Sequence, residues 1–104
     1  METELIVTYV VCDEIVKKLE IKEDVQTKMT TAEVMTTAIV ATGHYFGNIE
    51  RARIALKNSG DIPDMLSKSQ LNRRLHHIKQ SVWLTVLETL AIEFKKHNLD
   101  REFI

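Results

Sequence analysis

"ETELIVTYVVCDEIVKKLE", residues 2–20, decides the fold class. Its first half, rich in β-branched residues, reads equally well as a strand. Periodicity separates the two readings. Leu5, Tyr9, Cys12, Val16 and Leu19 recur at three- and four-residue steps with Glu, Asp and Lys between them, the stripe of an amphipathic helix rather than the alternation of a strand. Outside this stretch the chain holds three Gly and one Pro in 104 residues, too few punctuating residues for the tight turns of a sheet protein. The expectation is therefore an all-α, four- or five-helix orthogonal bundle, a single domain over residues 1–104, containing a helix-turn-helix-like pair.

Local signals place the remaining helices. "EIKEDVQTKM", residues 20–29, has no period and reads as a connection. Thr30 and Glu33 stand at capping-box spacing and open a helix, in which Val34, Ala38, Ala41 and Tyr45, widened by Ala32, Met35, Ile39 and Phe46, form the inner face. Asn48 is a suitable N-cap for "IERARIALKNS", whose inner side is Ile49, Ala52 and Leu56, and Gly60 suits the left-handed residue beyond its end. "DIPDM" is a corner, because Pro63 fixes its own backbone and pushes Ile62 out of helical geometry. Ser67 and Gln70 repeat the capping box, and Leu71, Leu75, Ile78 and Val82 step along one stripe. A helix is thus expected over 67–79, running on into, or breaking near Gln80 and Ser81 before, a last helix. There Trp83, Val86, Leu87, Leu90 and Phe94 face inward, and Lys95, Lys96 and His97 sit at the C-terminal end of the dipole.

Charge is polarised along the chain although the formal net charge is only -1. Residues 1–24 carry seven acids against three lysines, and residues 51–79 carry seven bases against Asp61 and Asp64. With Leu71, Leu75 and Ile78 inward, Lys68, Ser69, Gln70, Asn72, Arg73, Arg74, His76, His77 and Lys79 spread over the rest of their helix with no acid among them. Arg grips phosphate or guanine with paired donors, and Asn or Gln can pair with adenine. The helix 48–59, the corner and the basic helix follow the helix-turn-helix plan, with a connection longer than that of the compact motif. The expected partner is double-stranded DNA, met by the 67–79 helix, with Arg51, Arg53 and Lys57 as auxiliary phosphate contacts. The alternative is a helical protein-interaction module, possible as a homodimer in which the acidic first helix of one copy meets the basic helix of another.

Enzymatic chemistry is not expected. No phosphate-cradling glycine loop and no nucleophile elbow is present. His76 and His77 point about 100° apart on a helix and cannot share a metal. Asp61 and Asp64 fit turn and cap roles, and His44 beside Tyr45 fits a buried, hydrogen-bonded residue. Cys12, the one cysteine, has apolar and acidic neighbours and reads as core filler, as do Met29, Met35 and Met65. No cofactor and no metal site is expected. No apolar run is long enough for a membrane span, and no basic leader with a cleavage site opens the chain, so a cytoplasmic protein is expected.

The stretch "MTTAEVMTTAIVATGHYFGNIERARIALKNSGDIPDMLSKSQLNRRLHHI", residues 29–78, resembles the N-terminal region of bacterial DDE-type insertion-sequence transposases, through "TTAEVMT", "YFGNIERAR" and "MLSKSQLNRRLH". The resemblance implies a region that recognises element ends or helps to build the transpososome. It points to Ser67, Lys68, Ser69, Asn72, Arg73, Arg74 and His76. It also implies a catalytic core that this chain lacks, with "LDREFI" similar to the lead-in to the first catalytic aspartate, and hence either a truncated gene product or an excised fragment, to which catalysis is not carried over.

Overall fold

A computed structural model describes residues 2–23 and 28–96. Five α-helices make up the described chain, with no strand among the described residues: α1 (Glu2–Lys18), α2 (Thr31–His44), α3 (Ile49–Ser59), α4 (Lys68–His76) and α5 (Gln80–Lys96). None of them is long and apolar enough to cross a membrane.

Helix ends follow the capping residues. Thr30 Oγ1 accepts from the Glu33 amide at 3.1 Å and the Glu33 carboxylate accepts from the Thr30 amide at 2.9 Å, so two donors with no intrahelical partner are satisfied at the start of α2. Asn48 Oδ1 takes the Arg51 amide at 3.0 Å, and Ser67 with Gln70 forms a second, looser box. Three helices end in the left-handed region. Gly60, at φ 84°, closes α3 without strain. Glu20, at φ 54°, closes α1 in a Schellman motif: its amide bonds the Lys17 carbonyl and the Ile21 amide bonds the Val16 carbonyl, each at 3.1 Å. Phe46, at φ 53°, and Gly47 take the same sense after α2.

The core divides into two clusters that share α2. Met29, Val34, Val40 and Ala41 meet Ala52 and Leu56 of α3, Ile62, Met65 and Leu66 of the connection, and Leu71 of α4. Ala32 and Met35 meet Val11, Cys12, Ile15 and Val16 of α1 and Val82, Val86 and Leu90 of α5. Ile78 packs against both. α2 is thus the common support of α1, α3 and α4, and α5 lies on α1. That pair is antiparallel, since Ser81 and Val82 share a cleft with Leu19 and Ile21, while Phe94 shares one with Glu4, Leu5 and Thr8. The buried threonines Thr8, Thr36 and Thr37 each return their hydroxyl to the carbonyl four residues back, at 2.7, 2.7 and 2.9 Å. Among the described residues no buried side-chain polar atom lacks a partner.

Several sequence expectations change in detail. The inner face of α1 is rotated: Thr8, Val11 and Ile15 are buried with Cys12 and Val16, while Tyr9 lies at the edge and Leu19 is exposed. Leu19 lost its place because α1 ends at Lys18, so the helical phase that put it inward no longer applies. Leu87 is half-exposed, because the axis of burial in α5 runs through Val82, Val86 and Leu90 at strict four-residue steps and leaves position 87 at the margin. Phe46, expected inward, is wholly exposed, since α2 has already ended at His44 and the left-handed turn swings it out. His44 is at the surface, Nε2 2.8 Å from Glu4 Oε2. The helix expected over 67–79 stops at His76: the amides of His77 and Ile78 tighten onto the Arg74 and Leu75 carbonyls, which lets Ile78 enter both clusters before α5 begins. His97 and the "LDREFI" stretch lie outside the described residues.

Candidate nucleic-acid interface

α4 is positioned from beneath by Met29, which is completely buried. Its sulfur accepts from the Leu66 amide at 3.3 Å and its carbonyl accepts from Arg74 Nη1 at 2.8 Å. One residue of the connection before α2 therefore holds both the approach to α4 and its last turn. Leu71 supplies the apolar anchor, with no exposure at all. At about 100° per residue, Ser69, Arg73 and His76 form the ridge opposite Leu71, flanked by Lys68 and Asn72 on one side and by Gln70 and His77 on the other. All seven are exposed.

The sequence-selected cations divide into free and engaged groups. Lys68, Arg73, His76, His77 and Lys79 are absent from the ion pairs that join Lys17 to Asp13, His44 to Glu4 and Arg53 to Glu50. Arg74 is half-buried and spends a donor on Met29. Gln70 is exposed, but its Oε1 serves the capping box. His77 and Lys79 line a cleft of about 750 Å³ that also presents Glu20 and Glu23, the latter accepting from the Thr31 amide. Acids thus face the C-terminal end of α4, whereas its first turn carries none of its own and has Glu50 of α3 near Lys68.

α3 contributes less than the sequence suggests. Arg53 is held by Glu50 through Nε at 3.0 Å and Nη2 at 2.6 Å, and its Nη1 donates to the Leu66 carbonyl at 3.2 Å. It braces the approach to α4 instead of facing solvent as a bare cation. The bond from Arg53 holds the Glu50 carboxyl below its ordinary pKa, with Lys68 close enough to add to the effect. Lys57, one turn on from Arg53, is exposed on that side; Arg51, two positions away and about 200° round the helix, is exposed but turned from α4. α3 and the approach to α4 are thus joined through Arg53, and the turn carrying Phe46 leads into α3.

Other groups that the sequence singles out serve the fold. Cys12 is fully buried, and desolvation pushes its thiol up to about 11 against the opposing hydrogen bond with Thr36, which makes it inert as a nucleophile at neutral pH. No set of three or more potential metal ligands converges among the described residues. Asp61 accepts from the Ser59 hydroxyl at 2.7 Å, a turn role. Phe46 is the candidate functional residue that periodicity misses; its signal is "YFGN", an aromatic beside Gly and Asn, where a turn is expected and burial is not. No family model, curated protein or solved structure matches the chain.

Proposed function

We propose that this is a DNA-binding helical domain of the kind that recognises transposon ends, with α4 laid against the duplex and no catalytic step of its own. One observation carries the reading: Arg73 on the ridge of a nine-residue helix and Lys68 on its flank, with no acid in the helix's own first turn, take part in no ion pair among the described residues. Cations left unpaired on a surface are what phosphate neutralisation needs, and Ser69 and Asn72 between them supply groups able to reach base edges. The resemblance to insertion-sequence transposases supports the same partner. The test is titration of labelled duplex DNA between 50 and 200 mM salt, on the order of the range where such contacts are most sensitive. Wild type should bind, and Lys68→Ala should lower the salt slope by about one. No binding at low salt would end this reading.

A second reading, a helical interaction module that dimerises, draws on the apolar residues α1 and α5 leave in solvent, among them Ile6, Val10, Leu84 and Ile92. It predicts a dimer by light scattering and no DNA affinity. A monomer at both low and high salt would remove it.

A further inference from the structure

We propose that Phe46 is a base-stacking contact of this domain, inserted at an unpaired or unstacked base of the DNA whose phosphates α4 holds; the inference rests on the DNA-binding reading above. Phe46 is fully solvent-exposed, with a relative accessibility of 103%, and its backbone stands at φ 53°. Both features oppose folding. A bulky aromatic in the left-handed region is a steric outlier, and one that touches nothing returns no burial in exchange. Gly or Asn would satisfy the turn at lower cost, as Gly47 does at φ 83° in the next position. The side chain is therefore displayed rather than stored.

Charge favours a nucleobase over a protein groove as the occupant: Lys68 and Arg73 stand exposed on α4 outside every ion pair described. Phe46 lies two residues before Asn48, the N-cap of α3, and four before Glu50. The Glu50 carboxylate is already occupied by Arg53, which also reaches the Leu66 carbonyl just before α4. Lys68 is near enough to act on Glu50. The ring thus stands in the turn that leads into α3, the helix whose Arg53 reaches the approach to α4. An exposed aromatic combined with phosphate-binding groups is the means by which proteins stack unpaired bases, or wedge a base step apart. The other exposed large apolar residues belong to α1, α3 and α5 or follow the end of α1.

The experiment compares wild type, Phe46→Ala and Phe46→Trp on three labelled probes: a fully paired duplex, the same duplex with one unpaired base, and the single strand. Wild type should prefer the probes with an unstacked base, Phe46→Ala should lose roughly tenfold or more on those probes alone, and Phe46→Trp should retain the preference. The salt slope of Phe46→Ala should equal that of wild type, because no charge is removed, and its melting temperature should not fall, because the ring is not packed. Equal affinity of Phe46→Ala and wild type on all probes overturns the inference and leaves the DNA-binding reading intact. An equal loss on paired and unpaired probes also overturns it. Absence of binding by wild type overturns both.

Discussion

Arg73 and Arg74 are adjacent in the chain and identical in chemistry, yet the structure gives them different work, and single substitutions should separate it. In Arg74→Met the aliphatic stem is kept and one charge-assisted bond, 2.8 Å to the Met29 carbonyl, is lost. Bonds from charged groups contribute about 1.5–3 kcal/mol when shielded. Arg74 is only half-buried and water can replace part of the bond, which brings the expected loss to about 1 kcal/mol. For a domain of this size that lowers Tm by about 4–8 °C. Arg73→Met removes a side chain with no partner among the described residues, so its stability should stay within about 0.5 kcal/mol of wild type. On DNA the order should reverse: Arg73→Met lowers the slope of log affinity against log salt by about one, and Arg74→Met by clearly less. Circular dichroism melts and anisotropy titrations at several salt concentrations measure both properties on the same preparations. Equal melting temperatures for the two variants, or a larger loss of slope in Arg74→Met, would refute the division of roles.

Two further outcomes test the local physics. Glu20→Gly should raise stability by about 0.5–1 kcal/mol, since the left-handed penalty of a residue with a Cβ, about 1–2 kcal/mol, outweighs the entropy of a more flexible unfolded chain; a Glu20→Ala control keeps the Cβ and should gain less, and a destabilised Glu20→Gly would contradict the Schellman assignment. Glu50, whose carboxyl Arg53 holds below its ordinary pKa, contributes stability that is present above the unfolded-chain value of about 4.3 and is lost as pH falls through the lower folded value. Urea midpoints at pH 7, 5 and 3 should therefore fall less steeply for Glu50→Gln than for wild type, and parallel curves would show that the Arg53 bond does not report on folding.

Helix boundaries were legible where a side chain caps its own neighbourhood. Thr30 with Glu33, Asn48, and Ser67 with Gln70 act within three residues, so spacing alone reveals them. Rotation about the helix axis was harder to read. In α1 a run of β-branched residues offers several nearly equivalent stripes, and contact with α2 and α5 selects the one through Thr8 and Ile15. Chain-distant bonds left no local trace: Arg74 meets a carbonyl 45 residues away, and Arg53 one 13 residues away. The basic character of α4 was visible, but not which of its cations already serve the fold. Phe46 escaped because hydrophobicity predicts burial, while a turn ignores it.

The shortness of α4 limits what it could read. Nine helical residues extend about 13.5 Å, comparable with the roughly 12 Å width of a major groove and with about four base-pair steps of 3.4 Å. A word of four letters recurs about every 250 base pairs by chance, and at about 1–3 kcal/mol per mismatch so few positions discriminate weakly. On the DNA-binding reading, singling out one terminus in a genome requires either two copies on half-sites a helical turn apart or a locally opened duplex that Phe46 would favour.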